Sequence, residues 1–591
     1  MLLLWARVPK SKTRNPKSKI SSLSLRVRHP EEAVPSSFTR EDILAARLRV
    51  AKVIPYQGSR TPFISNLSLA VCSGLLLIFA FPDWNLWSLG WVGAAPLIMA
   101  VVREQRFWRS LVLGWVTGTI FYAGTSYWVT HSMHNYGEIP LVLSYVLLTI
   151  LASILGFFTG IFAGATAIGV KRFGGWAMLA APFIWAASEW ARQQVTGVGW
   201  NALGYSQSFQ TAAIQTARFG GVYIVSALLV AASTALVFAV VYLERRRGVI
   251  VLTAFGVMAI AAVVYGQSIK PVSFPQGSVP VVAVQPNIPI AGAWDDPNFI
   301  EQMLARHITL SERAIQSHLK ERSLENSEEA GVELVIWPES PMNLEYERDA
   351  ELRRRVADFT KRNNVFLLMS SWGGTEAGGA LYNSAMVIAP SGERISRYDK
   401  IALVPFGEYV PARGWIPFMD RIPALVADVA PGVSFTVSDV AGSKIGTAIC
   451  FEATRPDIAR RFRSEGVSAL VQISNELWFG PGSAPRQMLQ HAIFRAVEND
   501  VDMIRVTNSG LSARVNSYGV VEAETPGFQT DAPVWRMKTV EEASRGPLTF
   551  YTRHGDVFAV TCAVLSLLFI VASVAPFNLD FNRRGRRGAE G

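Results

Sequence analysis

Two hydrophobic patterns divide this chain. Residues 64–267 and 556–577 are apolar with few interruptions, whereas residues 268–555 alternate short apolar runs with amphipathic stretches. A helix that crosses a bilayer needs about 20 mostly apolar residues. Hydropathy places eight such spans, at 64–82, 86–102, 110–132, 141–168, 174–190, 222–243, 249–267 and 556–575. The fifth is the weakest pattern, because Glu189, Trp190 and Arg192 sit at its end. In the intervening segment, strands are predicted at 279–285, 332–336, 365–371, 383–389, 444–449, 468–473 and 503–508, and helices at 297–320, 348–362, 455–463 and 486–499. Buried-looking strands that alternate with helices indicate α/β layers. Gly373-Gly374 and Gly378-Gly379 mark a flexible connection between strands. No internal repeat of fixed period is present.

Basic residues orient the spans. Arg103, Arg106 and Arg109 join the second and third, Lys171 and Arg172 the fourth and fifth, and Arg245, Arg246 and Arg247 the sixth and seventh. Arg583, Arg584, Arg586 and Arg587 follow the eighth. With eight spans all of these fall on one side, together with the N-terminal tail, and the positive-inside rule makes that side the cytoplasm. The expected organisation is a basic, disordered cytoplasmic tail at 1–60, seven transmembrane helices within 61–267, an extracytoplasmic domain at 268–555, an eighth helix at 556–577 and a basic cytoplasmic tail at 578–591. The opening Met-Leu-Leu-Leu-Trp is too short for a signal-peptide core.

Composition agrees with a membrane protein. With 591 residues the chain needs at least two structural units. Hydrophobic residues make up 50% and charged residues 17%, against about 25% charged in soluble domains. The net charge of +10 resides in the tails and short loops, where topology signals belong. No basic motif with stacking aromatics accompanies it, which argues against nucleic-acid binding. Cys72 and Cys562 fall inside candidate spans, and no CxxC pair or Cys/His cluster exists. Neither a disulfide framework nor a metal site is expected, and no cofactor.

The third cysteine is the chemically informative one. Lys444-Ile-Gly-Thr-Ala-Ile-Cys450 ends a strand-like run, with Phe451 and Glu452 immediately after. Thr454-Arg-Pro-Asp457 reads as a helix start, with threonine as N-cap. Cys450 is thereby expected on a strand-to-helix turn, near a positive helix end that favours the reactive thiolate. By itself it is more often a buried, inert cysteine. Two other segments change the balance. Leu334-Val-Ile-Trp-Pro-Glu339 places a carboxylate at the rim of a second run, where Glu339 can take the thiol proton and later protonate a leaving group. Tyr398-Asp-Lys400 places an amine after a third, where Lys400 can stabilise a developing oxyanion. Glu408, after Pro405-Phe-Gly407, can orient Lys400 or Glu339, and Glu452 is a further auxiliary acid. Asn475-Glu-Leu-Trp-Phe-Gly480 follows another apolar run, and Asn475, Trp478 and Trp415 are candidate substrate contacts.

Glutamate, lysine and cysteine in this order resemble the nitrilase superfamily, which implies an αββα sandwich for the soluble segment. The whole architecture resembles the apolipoprotein N-acyltransferase family, in which such a domain is inserted between membrane helices seven and eight. The strings that carry the resemblance are Ile336-Trp-Pro-Glu339, Tyr398-Asp-Lys400, Leu403-Val-Pro-Phe-Gly-Glu-Tyr-Val-Pro411, Ile449-Cys-Phe-Glu452, Ser474-Asn-Glu-Leu-Trp-Phe-Gly480 and Arg505-Val-Thr-Asn-Ser-Gly510, with Trp185-Ala-Ala-Ser-Glu189 and Gly199-Trp-Asn-Ala-Leu-Gly-Tyr-Ser-Gln207 in the apolar part. The fold class implied is a polytopic α-helical membrane domain plus a nitrilase-like α/β sandwich. The resemblance implies that Cys450 attacks the sn-1 ester of a phospholipid and forms a thioester. The α-amino group of a diacylglyceryl-modified N-terminal cysteine of an apolipoprotein then takes the acyl chain. Glu339 would be the base, Lys400 the oxyanion stabiliser and Glu408 an auxiliary acid. It also implies a monomer in the bacterial inner membrane with the catalytic domain on the periplasmic side. Phe451 and Asn475-Glu476-Leu477 depart from the commoner tyrosine and Asn-Asp-Ala of that family. The alternative is a membrane-tethered nitrilase-type amidohydrolase, which differs only in using water as second nucleophile.

Overall fold

The computed structural model describes residues 63–242, 246–269, 278–289, 298–325, 330–339, 344–374, 380–411, 413, 428–543 and 547–575. Both expected tails, Trp415 and the glycine pair 378–379 lie outside the described residues. The described residues all belong to one unit, Val53–Gly591.

The apolar N-terminal part folds as helices α1 (Phe63–Phe79), α2 (Ala95–Glu104), α3 (Phe107–Thr125), α4 (Val129–Asn135), α5 (Leu141–Phe173), α6 (Ala181–Thr196), α7 (Ala217–Val241) and α8 (Arg246–Ser268). Among the described residues, α5, α7, α8 and the C-terminal helix Val557–Val574 are long and apolar enough to cross a bilayer, and α1 is a shorter apolar helix. These coincide with the fourth, sixth, seventh, eighth and first expected spans. The other expected spans are helical but interrupted. The run at 86–102 becomes a tight turn, Trp87–Trp91, followed by α2 with a proline in its first turn. The run at 174–190 likewise becomes a turn and then α6, again with a first-turn proline. Proline is tolerated there because the first-turn N–H has no intrahelical partner to lose. The run at 110–132 divides into α3 and α4. Apolar side chains on these helices face outward. Ile260 is 65% exposed and Leu567 61%, which suits lipid rather than water.

Close approach between helices depends on small residues. A Cβ added to Gly118 of α3 would lie 2.6 Å from Gly156 Cα of α5. Gly114 and Gly160 continue this contact along the same two helices. Such contacts let backbones pack where no hydrophobic force drives association.

The segment after α8 forms two six-stranded sheets. The first has β1 (Val279–Ala283), β2 (Leu334–Ile336), β3 (Phe366–Gly374), β4 (Leu381–Ile388), β5 (Arg394–Asp399) and β12 (Val534–Met537), in the order β12-β1-β2-β3-β4-β5. The second has β6 (Val437–Val440), β7 (Ser443–Ile449), β8 (Ala469–Ser474), β9 (Asp502–Thr507), β10 (Ala513–Val515) and β11 (Val521–Glu524), in the order β11-β10-β9-β8-β7-β6. Each has a parallel centre, β1-β2-β3 and β7-β8-β9, with antiparallel edges. Alternation along the strands assigns the faces. Val282, Val335, Leu367 and Met369 pack with residues of α9 (Phe299–Glu325) and α10 (Ala350–Asn363). Their neighbours Val281, Leu334, Ile336 and Leu368 join the core that contains Ile445, Ile449 and Ile473 of the second sheet. The second sheet is covered in turn by α11 (Pro456–Ser464) and α12 (Ala484–Asn499). The result is the expected αββα layering, followed by the last helix, α13 (Val557–Val574).

All seven expected strands and four expected helices are present, with shifted ends. β5, β6, β10, β11 and β12 were not expected. All five have half-exposed or exposed positions, which dilute the apolar pattern. The helix start at Thr454 is corrected. Arg455 is the N-cap of α11 and makes no side-chain cap, while Thr454 Oγ1 donates to the Phe451 carbonyl at 2.8 Å.

The α3–α5 contact yields a prediction. Gly118→Ala forces two backbones apart and should lower stability by about 1–3 kcal/mol, read as a lower thermal-unfolding midpoint in detergent; an unchanged midpoint means the helices can separate freely.

Candidate active site

The ends of strands from both sheets converge at one edge. Glu339 follows β2 by Trp337 and Pro338, Lys400 follows β5 directly, and Cys450 and Asn475 follow β7 and β8 directly. Lys400 is 1% exposed. Its Nζ lies 2.9 Å from Glu408 and 3.7 Å from Glu339 Oε1. Asn383 of β4 holds both acids, donating from Nδ2 to Glu339 Oε1 at 2.9 Å and to Glu408 Oε1 at 2.8 Å. Glu339 Oε2 accepts from the Asn475 backbone N–H at 3.1 Å, and Glu408 Oε2 from the Val404 N–H at 2.8 Å.

Cys450 sits at the end of β7 with φ +52. This left-handed conformation is costly for a residue with a Cβ and persists only where its surroundings enforce it. Glu452 supplies much of that enforcement. Its Oε2 accepts from the Ile449 N–H at 2.8 Å. Its Oε1 accepts from the Tyr398 hydroxyl at 2.9 Å and the N–H groups of Ile401 and Ala402 at 2.7 and 3.0 Å. One buried carboxylate thus ties the cysteine turn to the lysine segment. From the other side, Gln472 Nε2 donates to the Cys450 carbonyl at 3.0 Å, and Arg505 Nη1 donates to Gln472 Oε1 at 3.0 Å. Arg505 also pairs with Glu476.

Electrostatics follow from burial and this charge pattern. Burial pushes the Cys450 thiol up to about 12; Glu339 pushes it in the same direction and Lys400 opposes them. Burial likewise raises the Glu339 carboxyl, against the pull of Lys400. Burial disfavours the Lys400 ammonium, but Glu408 and Glu339 together hold it above the ordinary lysine range. The surroundings thus favour the thiol at Cys450 and the ammonium at Lys400, and make the Glu339 carboxylate a stronger base than an exposed one.

Of the expected residues, Glu339, Lys400, Cys450, Glu408 and Glu452 come together, and Asn475 joins through its backbone. Its side-chain Oδ1 accepts from the Leu477 N–H and from Asn508. Trp478 turns toward the helical part: its ring meets Tyr136 edge-on at 4.9 Å, and its carbonyl accepts from Ser132 at 2.7 Å. Asn383, Gln472 and Tyr398 were not singled out. The available signal was a polar residue inside a strand-forming apolar run, Asn383 in β4 and Gln472 in β8.

The helical part reaches this edge through aromatic rings. Trp200 stacks on Phe451 at 6.4 Å and meets Trp128 at 5.0 Å, and Trp128 meets Phe479 at 4.6 Å. Both indoles donate to Gln487 Oε1 of α12, at 3.1 Å from Trp128 and 2.7 Å from Trp200.

Residues 73–235 match the family model described as apolipoprotein N-acyltransferase N-terminal domain, and residues 281–531 match carbon-nitrogen hydrolase. An apolipoprotein N-acyltransferase from Geobacter metallireducens is 32% identical over 507 residues, covering 84% of this chain and 92% of the relative. The chain belongs to the apolipoprotein N-acyltransferase family. Family members from Azotobacter vinelandii and Chlorobaculum tepidum are 31% and 26% identical over 78% and 88% of this chain and 87% and 99% of theirs. The matches run through the helical part as well as the sandwich, so a tethered amidohydrolase is not favoured. The fold is the one that membership implies, a helical membrane region joined to a nitrilase-like domain.

The charge pattern around the thiol is testable. Below its pKa the thiolate fraction grows about tenfold per pH unit, so alkylation of Cys450 by a small neutral reagent should keep rising beyond about pH 9, where an ordinary thiol of pKa about 8.5 levels off. Lys400→Met removes a cation that favours the thiolate and should slow alkylation further; a plateau near the ordinary pKa would contradict the arrangement.

Proposed function

We propose that this chain is a phospholipid:apolipoprotein N-acyltransferase of the bacterial inner membrane. It transfers the sn-1 acyl chain of a phospholipid, through a Cys450 thioester, to the α-amino group of an N-terminal diacylglyceryl-cysteine. The observation that carries this reading is a buried cysteine in a left-handed turn beside Glu339 and Lys400, on a domain packed against apolar helices. In the first half-reaction Glu339 takes the Cys450 proton as sulfur attacks the ester carbonyl. Lys400 stabilises the oxyanion, and the C–O bond breaks as the lysophospholipid oxygen takes the proton back from Glu339. In the second, the neutral amine attacks the thioester and gives a proton to Glu339. The C–S bond breaks and that proton returns to sulfur. Glu408 and Asn383 hold Lys400 and Glu339 in position, while Glu452 holds the cysteine turn.

Both substrates are lipid-anchored, so a site held at the membrane surface gains effective concentration from confinement. The arrangement that serves this is seven spans within 61–267, the catalytic domain at 268–555 on the periplasmic side and the eighth span at 556–577, in a monomer. The arginine clusters at 103–109 and 245–247 then face the cytoplasm.

Intact-mass measurement of the purified chain with phospholipid should show a fatty-acyl adduct on Cys450, absent from Cys450→Ser and discharged by a diacylglyceryl-cysteine peptide. Glu339→Gln should slow adduct formation by about 10²–10⁴-fold, the usual contribution of a positioned base. Discharge by water as fast as by peptide would instead make the chain a hydrolase.

A further inference from the structure

A cavity of about 230 Å³ lies between the helical part and the loop after β8. Thr130, His131, His134 and Asn135 line one side, Phe479 and Pro481 the other. None of the steps above uses it. On α4, Asn135 follows His131 by one turn, with His134 beside them. Asn135 Nδ2 lies 2.9 Å from His131 Nδ1 and 3.1 Å from the His131 carbonyl. A carbonyl only accepts, so the amide presents its NH₂ there; His131 Nδ1 is the acceptor, and the ring proton is assigned to Nε2. The His134 Nδ1 lies 2.9 Å from the Ile139 carbonyl, which assigns a proton to Nδ1 and leaves Nε2 open. Neither Nε2 has a hydrogen-bond partner among the described residues.

The loop opposite is pressed against the first imidazole. Gly480 has φ +67, and a Cβ there would come within 2.7 Å of the His131 ring. Among the described residues no carboxylate lines the cavity; nearby Asp83 accepts from the Tyr127 hydroxyl at 2.6 Å. The wall therefore offers one fixed N–H donor and a second imidazole that donates once protonated, between apolar faces. An anionic oxygen suits that pair as the acceptor. The volume is below the roughly 300 Å³ at which pockets for drug-sized ligands begin, which suits a small headgroup better than a fatty chain. Phe479, Trp128, Trp200 and Phe451 form a run of packed rings that connects this cavity to the Cys450 turn.

We propose that this cavity binds the phosphodiester headgroup of the acyl-donor lipid, with His131 and His134 as specificity-determining residues. The proposal rests on the phospholipid-donor reading. The test compares Cys450 acylation of the full chain in micelles by phosphatidylethanolamine and by a diacylglycerol, which carries the same ester without phosphate. His131→Leu with His134→Leu should lower kcat/KM for the phospholipid relative to the diacylglycerol by about tenfold, the loss of one charge-assisted hydrogen bond. His131→Gln, which keeps a donor near Nε2, should recover part of it. The exposed His134→Leu alone should show a smaller loss in the same ratio, and it serves if the double variant does not fold. Glycerophosphoethanolamine should compete with the lipid in wild type and not in the double variant. An unchanged ratio overturns the proposal, as does inorganic phosphate competing equally well with the ratio unaltered, which marks a free-phosphate site. If neither donor acylates wild-type Cys450, the acyl-transfer reading itself fails and the headgroup site falls with it.

Discussion

A single buried ammonium organises the catalytic edge. Lys400 is 1% exposed and has Glu408 at 2.9 Å and Glu339 at 3.7 Å. A buried charge stripped of its partner costs several kcal/mol, so the lysine stays only where carboxylates from other segments reach it. Glu339 comes from the end of β2, Glu408 from the loop beyond β5, and Asn383 in β4 pins the two acids together. Meeting that electrostatic demand brings together the same groups that covalent acyl transfer requires. Burial, and after it Glu339, oppose thiolate formation while Lys400 favours it, so Lys400 both stabilises the site and assists the nucleophile.

A second requirement is that the sandwich be held against the helical part without leaving polar groups unpaired. Gln487 does this with one side chain. Its Oε1 takes both indole N–H groups, and its Nε2 donates to the Thr125 carbonyl at the end of α3 at 2.9 Å. Arg495 and Glu498 form a fully buried pair on the same helix, and burial leaves Glu498 with a pKa raised to about 7 despite Arg495. Glu498 accepts from the Val222 N–H at 3.0 Å, where α7 is broken by Gly221 at φ +63. The broken turn frees the backbone N–H that the catalytic domain then satisfies. These contacts join the helical part to α12 and, through Gln487, to the rings beside Cys450.

Several features were legible because they depend on local chemistry. Short, nearly continuous apolar runs mark β2, β7, β8 and β9, whose residues are almost all buried, and the segments that follow the first three carry Glu339, Cys450 and Asn475. Proline after Trp337 ends β2 just before the acid. The long apolar runs at α5, α7, α8 and α13 needed nothing beyond their length and composition. Less legible were α2 and α6, where first-turn prolines delay the helix while hydropathy continues across the break. Glu189 and Arg192, placed by sequence at the end of a span, are 5% and 1% exposed. Glu189 Oε1 accepts from Trp185 Nε1, one turn earlier on α6, at 2.8 Å, and from the Leu203 N–H, brought by tertiary packing, at 2.7 Å.

By itself, then, the sequence determined the division into membrane helices and an α/β domain, the presence and order of the main strands and the identity of the chemically competent side chains, because periodicity, hydropathy and functional groups are local properties. The tertiary structure decided the left-handed turn at Cys450, the role of Glu452 as a tie between two strand ends, the bridging by Asn383 and Gln487, and the turn of Trp478 toward Tyr136. Each of these depends on hydrogen bonds or contacts between segments far apart in the chain, and no local pattern records which distant partner will arrive.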